Sequence, residues 1–365
     1  MIAMMRANLA RRWGRTVLTG LGVAFGVTTT VALLALTGGI SRSAGDLAKL
    51  GRADFGVFQS GLADLTASSL PASIVGRVER IPGIAAAAPI QVVPHAIASA
   101  PAILVFGAQL KSFLARRLVI VSGHAAHGSQ AMVGVGAANQ LHVKPGQRLT
   151  IDGHPLVVAG IYRSGISLED GGVVVSLPVL QRISRRPGEI SVIAVLLKPG
   201  YRETDEEHAV QHAVPGTLAL GDPGEVSRVD TNSRLLSKAA IIIAVLSLLL
   251  GAVVVINTMA MAMIERRAEF GLLAAVGWSR GRIARLILGE TFAISLTGAV
   301  IGLGIGALAS VVLVSALTAS TFVTPDITLW VLGRGVLVGV ALGVLGALVS
   351  LWRILRTPAL KALER

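Results

Sequence analysis

The segment MAMIERRAEFGLLAAVGWSRGRIARLILGE (Met261–Glu290) contains a charged loop between two apolar stretches. It overlaps the end of 26 uncharged residues (Ala239–Ile264), and seven charged side chains then follow within residues 265–285. After this loop the chain turns apolar again. Because about 20 apolar residues are enough for a helix to cross a bilayer, the pattern predicts two membrane spans joined by a short polar connection.

The composition of the whole chain also indicates a membrane protein. Of its 365 residues 53% are hydrophobic and only 15% are charged, whereas a soluble domain carries about 25% charged residues. The net charge is +13. Residues 41–238 hold 19 Lys and Arg against 15 Asp and Glu, so the rest of the chain holds 14 against 5.

That basic excess lies beside apolar runs and not in a groove with stacking aromatics, which argues against nucleic acid as a partner. The chain has no cysteine, so a disulfide, a thiol nucleophile or a Cys-ligated metal is excluded.

Four apolar stretches predict an α-helical membrane protein with four transmembrane helices. The first stretch is 25 uncharged residues long, longer than a signal-peptide core, and is interpreted as a retained anchor and not as a cleaved leader. The third is too long for one straight crossing, so it either tilts or turns back near the outer surface. The predicted boundaries are an amphipathic segment at 1–15, spans at 16–40, 239–264, 286–318 and 329–352, connections at 41–238, 265–285 and 319–328, and a tail at 353–365.

Lys and Arg near the ends of the spans predict the orientation, because short cytoplasmic loops are rich in these residues. The N-terminal segment holds four Arg and no acid, and the 265–285 loop holds five Arg and two Glu. The tail holds four basic residues against one Glu, and the 319–328 connection holds no Lys or Arg. Both termini and the 265–285 loop are therefore expected in the cytoplasm, with 41–238 and 319–328 outside.

Residues 41–238 form one large insertion and are expected to fold as an extracytoplasmic α+β domain. Both of its ends look helical and would extend the spans outward as a stalk. Between them, short apolar runs separated by Gly and Pro predict strands, with a strand-rich inner subregion around 120–197. The predicted strands lie at 53–61, 102–110, 147–153, 155–165, 171–178 and 190–200, and the predicted helices at 68–83 and 204–214.

No catalytic or metal site is predicted in this insertion, although all seven His residues lie in it. His124 with His127, and His208 with His212, have spacings that would suit metal ligands, but neither pair has a third ligand nearby, so surface histidines are preferred. No G-x-S-x-G elbow of a serine hydrolase is present. The acidic pair Glu169-Asp170, beside two glycines, is interpreted as a turn.

The charged loop itself predicts a short helix. A helix starting at Glu265 would place Glu265, Glu269 and Leu272/Leu273 along one side. Gly277 would end it, and Ser279 would cap the next helix. The simpler interpretation is an amphipathic helix at the membrane surface; the alternative is a docking element for a cytoplasmic partner.

The segment from Asn257 to Glu290 resembles the hallmark segment of the FtsX-like/MacB-type ABC transporter permeases, the type VII or mechanotransmission class. Members carry an Asn at the end of the second span, then Glu-Arg, a Glu-Ile-Gly-like triplet and an Ala-Leu-Gly-like turn. The matching residues are Asn257, Glu265-Arg266, Glu269-Phe270-Gly271 and Ala275-Val276-Gly277.

Two further stretches carry the resemblance. Residues 5–27 are similar to the family's entry segment and first span, and 133–165 to the strand-rich outer subdomain, the MacB-like periplasmic core, of stand-alone MacB-like and LolC/LolE-like permeases. The tail Pro358–Leu363 matches the family's usual ending only loosely.

The resemblance implies a place in the bacterial cytoplasmic (inner) membrane and an assembly of two permeases, identical or paralogous, with two ABC ATPase subunits. The residues expected to couple to the ATPase are Glu265, Arg266, Glu269, Phe270, Gly271, Leu272, Leu273 and Gly277. The chain has no G-x-x-x-x-G-K-[ST] phosphate loop and only short segments outside its first and last spans, so ATP and Mg are expected on a separate ATPase chain and no cofactor on this one.

Small and charged residues within the spans carry two more predictions. Gly302, Gly304 and Gly306 in the third span, and Gly339 and Gly343 in the fourth, are expected to permit close helix packing, which favours dimerisation of the permease over a pore. Glu290 is either a functional group or, as preferred here, a partner of Arg285 or Arg282.

The favoured function is a permease that relays ATPase closure to its outer domain and moves an amphiphilic substrate such as a lipoprotein, peptide, antibiotic or haem. The alternative is an FtsX-like signal relay that regulates an extracytoplasmic cell-wall hydrolase or sensor without transport. The large insertion favours the first, because the cell-division members have a smaller outer domain. An adaptor or hydrolase outside the membrane is a further candidate partner, whereas a membrane-embedded enzyme is disfavoured because no catalytic constellation is present.

Overall fold

The computed structural model of the chain describes residues 13–62, 64–97, 100–229, 231–316 and 324–355. The α-helices of these residues are α1 (Trp13–Ala48), α2 (Val75–Glu79), α3 (Phe113–Arg117), α4 (Val135–Leu141), α5 (Ser167–Asp170), α6 (Leu177–Ile183), α7 (Glu203–Ala213), α8 (Pro223–Val229), α9 (Thr231–Glu265), α10 (Arg267–Ala275), α11 (Arg280–Ala316) and α12 (Leu329–Leu355). The strands are β1 (Phe55–Gln59), β2 (Leu70–Pro71), β3 (Ile84–Ile97), β4 (Ala100–Ala108), β5 (Val119–Gly123), β6 (Ala131–Gly134), β7 (Arg148–Ile151), β8 (His154–Arg163), β9 (Val173–Ser176), β10 (Glu189–Ile190), β11 (Val192–Leu197) and β12 (Thr217–Leu220).

Four of these helices, α1, α9, α11 and α12, are long and apolar enough to cross a membrane. Their most apolar windows have mean hydropathies between 1.9 and 3.1. A helix suits this environment because it satisfies its backbone hydrogen bonds internally where no water is present. The strands all lie between α1 and α9 in the chain. This order confirms the predicted fold class, an α-helical membrane protein with a large α/β domain inserted between the first two spans.

The helices run past the ends of the predicted spans. α1 continues to Ala48, and α9 begins at Thr231, so each is eight residues longer than its span on the side of the insertion. α11 is unbroken from Arg280 to Ala316. The end of the third predicted span (317–318), the first half of the predicted outer connection (319–323), most of the N-terminal segment (1–12) and most of the tail (356–365) lie outside the described residues.

The membrane unit comprises described residues 13–36, 238–313 and 326–355. Its core is a cluster of buried aliphatic side chains to which all four long helices contribute. The members are Val23, Val27, Val31, Val255, Met259, Ala299, Val331 and Leu342. The three valines of α1 are four residues apart and fully buried, so one stripe of α1 faces this core. α9 instead leaves Ile242, Leu246 and Leu250 more than half exposed, as suits contact with lipid.

A stripe of small residues brings α11 against α1. Gly302 and Gly306 face Ala24 and Thr28, which share the same four-residue spacing. A Cβ added to Gly302 would lie 2.7 Å from the Ala24 carbonyl oxygen, and one added to Gly306 would lie 2.9 Å from that of Thr28. The Thr28 hydroxyl donates a hydrogen bond to the Gly302 carbonyl at 3.1 Å. The two backbones therefore touch, as small residues allow between membrane helices.

Two glycines of α12 pack against α11 in the same way. A Cβ on Gly339 would lie 2.6 Å from Ala299 Cβ, and one on Gly343 would collide with the Ser295 side chain. A Cβ on Gly304 would meet no heavy atom within 4 Å. Close helix packing is thus seen within the chain at Gly302, Gly306, Gly339 and Gly343, and the role in dimerisation stays a prediction.

The second unit comprises the described residues of 37–237 and 314–325 and is called the outer unit after its predicted position. It contains a ten-stranded sheet in the order β12-β1-β11-β3-β4-β9-β6-β8-β5, with β7 paired to β8. β4–β9 and β6–β8 are parallel and the other pairs are antiparallel. β2 and β10 form a separate two-stranded sheet. The predicted division into two subregions is thus corrected, because the parallel β4–β9 pair joins the strands of the 120–197 region to the rest of the sheet.

Both faces of this sheet are buried. In β11, Val192 and Ala194 belong to a cluster that also holds the last turn of α1, whereas Ile193 and Val195 belong to a cluster with α2 and α7. Because successive side chains of a strand point to opposite faces, helices cover both sides here. A third cluster packs α4 and α6 against β4, β6, β8 and β9.

Two elements of the outer unit differ from the sequence prediction. The predicted helix at 68–83 is wrong in its first part, since Leu70–Pro71 pairs as a strand and only Val75–Glu79 is α-helical. The long strand β3 was not predicted. Its alanine-rich first half and its prolines, Pro89 and Pro94, hide the alternation typical of a strand, yet it pairs with both β11 and β4.

The glycine packing predicts a selective loss of stability. Replacing Gly302 or Gly306 by Leu should lower the melting temperature of the chain in nanodiscs, because the added side chain forces α1 and α11 apart. An overpacked contact of this kind costs about 1–3 kcal/mol. Gly304→Leu is the matched control, since it lies in the same helix with open space around it, and should melt like the native chain. Equal destabilisation by all three substitutions would contradict this packing.

Candidate functional site

The loop at 265–285 begins with a one-residue break between two helices at Arg266, which we call the kink. α9 ends at Glu265 and α10 starts at Arg267, so the predicted helix start at Glu265 is wrong. Arg266 N–H still donates to the Ala262 carbonyl at 3.2 Å, and Phe270 N–H donates to the Arg266 carbonyl at 3.0 Å. Helical hydrogen bonds thus continue on both sides of Arg266, so α10 follows α9 almost without interruption.

The Arg266 side chain is held from three sides. Its Nη1 lies 2.6 Å from Glu290 Oε2 of α11, and its Nε lies 3.1 Å from Glu269 Oε2. Its guanidinium carbon lies 5.1 Å from the centre of the Phe270 ring, within the range of a cation–π contact. The Arg266 and Glu290 side chains are only 10% and 13% exposed, whereas that of Glu269 is 52% exposed. Arg266 with Glu290 is therefore the buried pair.

This pair corrects the expected partner of Glu290, which was Arg285 or Arg282. Arg285 and Arg282 were expected because they precede Glu290 on the same helix, by five and eight residues. Here the Arg266 kink brings a guanidinium from 24 positions earlier in the chain. The Arg282 guanidinium instead lies over the Trp278 ring at 5.7 Å, and Arg285 Nε donates to the Gly281 carbonyl at 3.4 Å.

An apolar contact reinforces the ion pair. Phe270 is 6% exposed and packs with Met263 of α9 and Ile287 of α11, with Leu273 half-buried against them. Phe270 and Leu273 were expected to face a partner ATPase, but they face the chain's own helices. Together with Met263 and Ile287 they form an apolar contact between α9, α10 and α11.

Gly277 ends the α10 segment. It has a φ of 91°, in the left-handed region, and Trp278 N–H donates to the Leu273 carbonyl at 3.0 Å. This is the 6→1 hydrogen bond of a Schellman motif. The Ser279 carbonyl accepts from Arg282 and Ile283 N–H, so Ser279 occupies the N-cap position of α11. The chain therefore reverses within four residues between the two helices.

The side of residues 264–276 that faces away from this contact is exposed. We call it the exposed strip: Ile264 and Glu265 at the end of α9, Ala268 and Leu272 in α10, and Val276 directly after α10. Ile264, Leu272 and Val276 are 69%, 69% and 73% exposed, and Glu265 and Ala268 are exposed as well. Ile264, Ala268, Leu272 and Val276 follow one another at intervals of four residues, and Glu265 precedes Ala268 by three, which is the spacing of residues on one side of a helix. Ile264 and Val276 were missed by the sequence prediction, although their spacing to Leu272 signals them. Gly271 is also exposed, and a Cβ there would meet nothing.

The outer domain adds no metal site among the residues that the structure describes. Within them, no group of three or more His, Cys, Asp or Glu residues is placed to hold a metal ion. The His124 and His127 rings are stacked with their centres 6.4 Å apart. The interpretation of Glu169-Asp170 as a turn is wrong, because both residues belong to α5 and Glu169 is 3% exposed.

Two family models match the chain. Residues 16–213 match the MacB-like periplasmic core domain, and residues 241–359 match the FtsX-like permease C-terminal region. The first match alone covers more than half of the chain. The second includes the kink at Arg266, α10 and Glu290.

Curated relatives agree with these matches. An uncharacterized ABC transporter permease of Methanocaldococcus jannaschii is 26% identical over 48% of this chain and 47% of its own length. The macrolide export ATP-binding/permease protein MacB 2 of Aeromonas hydrophila subsp. hydrophila is 26% identical over 44% of this chain and 26% of its own length. The matched segments thus span about half, or a quarter, of these relatives.

Among solved structures, the periplasmic region of MacB from Actinobacillus actinomycetemcomitans is similar over 48% of this chain and 92% of its own length, with 11% identity and a TM-score of 0.39. The extracellular domain of the noncanonic ABC-type transporter YknZ from Gram-positive bacteria is similar over 45% and 98%, with 14% identity and a TM-score of 0.36. From the family-model matches, the chain belongs to the MacB/FtsX-type family of ABC transporter permeases.

Proposed function

We propose that this chain is the membrane subunit of an ABC exporter or extractor, which relays closure of a cytoplasmic ATPase to its outer domain. The observation that carries the proposal is the two-sided geometry of α10. One side is tied to α9 and α11 through Arg266, Phe270 and Glu290, and the other side is the exposed strip. A partner that binds the exposed side of such a helix would displace the membrane helices to which its other side is bound.

The partner that fits the exposed strip is an ABC ATPase. The strip combines one acidic side chain, Glu265, with the apolar Leu272 and Val276, and apolar residues at the centre of an interface contribute most to protein binding. The chain has no phosphate-binding loop motif in its 365 residues, so we assign ATP and Mg to that separate subunit. Two ATPases would act on two permeases, either identical or paralogous.

A push on α10 would spread along two routes. The first is the Arg266–Glu290 pair, which would carry it to α11 and the packed small residues of α1. The second is the kink itself, beyond which α9 is helical back to Thr231. Both α1 and α9 continue past the apolar spans toward the inserted domain, so either helix would deliver displacement to it.

The substrate we propose is an amphiphile handled on the outer side of the membrane. Three relatives are named for macrolide export, and macrolides are amphiphilic. The large size of the outer domain favours extraction over an FtsX-like signal relay. We therefore propose that residues 41–238 lie outside the cytoplasmic (inner) membrane, with both termini and α10 in the cytoplasm, as the Lys and Arg distribution favours.

This orientation predicts a labelling pattern in the cysteine-free chain. A cysteine at Thr150, on an exposed position of β7, should react with a membrane-impermeant thiol reagent in intact spheroplasts. A cysteine at the exposed Ser279 should react only after the membrane is permeabilised. Labelling of position 279 from outside would contradict the proposed orientation and remove α10 from the reach of a cytoplasmic ATPase.

The exposed strip predicts where the ATPase binds. Glu265→Lys combined with Leu272→Gln should weaken association with the cognate ATPase about tenfold or more, because each change removes a contact at the centre of the strip. Expression and membrane insertion should stay unchanged, since both side chains are exposed. Association is measured by co-purification and by titration of the ATPase onto the chain in nanodiscs.

Arg285→Gln is the matched control for this substitution pair, because it alters a charge in the same loop but outside the strip. It should leave the affinity for the ATPase within about twofold. Native affinity in the strip variant would refute the docking role and leave α10 as a helix that only lies at the membrane surface.

A further inference from the structure

The turn that follows α1 is held by three side chains: Glu169 of α5, Arg117 of α3 and the turn's own Arg52, which reaches the Ser164 carbonyl. This turn, residues 49–53, contains the short 3-10 helix Leu50–Arg52. Gly51 and Arg52 both have positive φ angles, 66° and 55°. Positive φ angles are unfavourable for residues other than glycine, so the surrounding structure has to hold Arg52 in this conformation.

The first grip is the Glu169 carboxylate of α5. Its Oε1 accepts a hydrogen bond from Gly51 N–H at 2.5 Å, and Glu169 is 3% exposed. The Tyr162 hydroxyl, at the end of β8, donates to the Glu169 carbonyl at 2.6 Å. Glu169 is therefore fixed by the sheet while it fixes the turn.

The second and third grips are guanidinium groups. Arg117 Nη1 of α3 donates to the Gly51 and Arg52 carbonyls at 3.0 and 2.7 Å. Arg52 Nε and Nη2 donate to the Ser164 carbonyl, just beyond β8, at 3.2 and 2.7 Å. Gly51 also packs against Leu114, whose Cα would lie 3.1 Å from an added Cβ. The Gly51 N–H is thus bound by α5, and the Gly51 and Arg52 carbonyls are bound by α3.

We propose that Glu169 and Arg117 are positioning residues that lock the 49–53 turn to the sheet and make it the joint through which movement of α1 enters the outer domain. This inference rests on the proposed function, in which α1 carries displacement outward. Without these grips, a turn with two left-handed residues would absorb that displacement by local bending. With them, the end of α1, α3, α5 and β8 move together.

The charges around Glu169 also make the joint sensitive to pH. Burial raises the pKa of Glu169 to about 7, against the opposing Gly51 N–H bond. The groups that face it are Asp46 of α1, Asp170 of α5 and Tyr162 of β8, of which the two acids add to the rise. Asp46 has its own pKa raised by burial.

The sign of the pH effect follows from comparing the turn when it is locked to the sheet with the turn when it is released and Glu169 is in water. A carboxyl group whose pKa is higher in the locked state favours that state when it is protonated. The locked state is therefore most stable below about pH 4.5, and it loses stability as the pH rises to about 7.

The test is amide hydrogen exchange at residues 49–53 in the full-length chain in nanodiscs, corrected for intrinsic exchange. In the native chain, protection should be roughly tenfold or more higher at pH 5 than at pH 7.5, because one pKa unit corresponds to a factor of ten. Glu169→Gln, which keeps an acceptor but cannot ionise, should remove this pH dependence. Arg117→Met should lower protection at both pH values, and the neighbouring Arg116→Met is its control.

A second arm adds the ATPase and compares the exchange of the outer domain with and without trapped ATP. The expected result is an ATP-dependent change in the native chain and in Arg116→Met that is reduced in Arg117→Met and in Glu169→Leu. A full ATP response in the last two variants would overturn the joint role. So would pH-independent protection in the native chain. If the native chain shows no ATP response at all, the proposed function fails too, and the first arm still shows whether the grips lock the turn.

Discussion

The buried ion pair between Arg266 and Glu290 is the interaction that ties the loop at 265–285 to the membrane helices. Arg266 stands at the kink between α9 and α10, and Glu290 lies in α11, so one contact at 2.6 Å fixes three helices. Removing one member of a buried pair leaves an uncompensated charge and typically costs about 3–5 kcal/mol. Phe270 covers the pair on the side of α10. The loop is consequently part of the helical bundle and not a flexible connection.

The same problem, fixing apolar helices in an apolar solvent, is solved differently deeper in the membrane. Lipid is as apolar as a valine side chain, so burial alone does not hold helices together there, and close packing of small residues does. Gly302 and Gly306 let α11 touch α1, and Gly339 and Gly343 let α12 touch α11. At its other end α1 contributes Leu47 and Ala48 to the core of the outer sheet. α1 is therefore held by backbone contacts in one unit and by a hydrophobic core in the other.

Much of this architecture follows from the sequence, because the bilayer leaves few choices. Uncharged runs long enough to cross it can only be helices there, so the four spans and the inserted domain could be predicted. The pattern could not tell which of Phe270, Leu272 and Leu273 points inward, since the answer depends on Ile287, which lies on another helix. The partner of Glu290 and the role of Glu169 were missed for the same reason. Both depend on contacts between residues far apart in the chain, which local spacing does not reveal.

The most direct test of the coupling role is a charge exchange at the buried pair. Arg266→Glu, Glu290→Arg and the double substitution would be assembled with the ATPase in nanodiscs, and the ATP-dependent change in hydrogen exchange of the outer domain would be measured for each. Both single variants should still bind the ATPase through the exposed strip but lose the outer-domain response, because like charges then meet at the kink. The double variant should recover a substantial part of it. Single variants that respond like the native chain would contradict the claim that Arg266 and Glu290 transmit the movement.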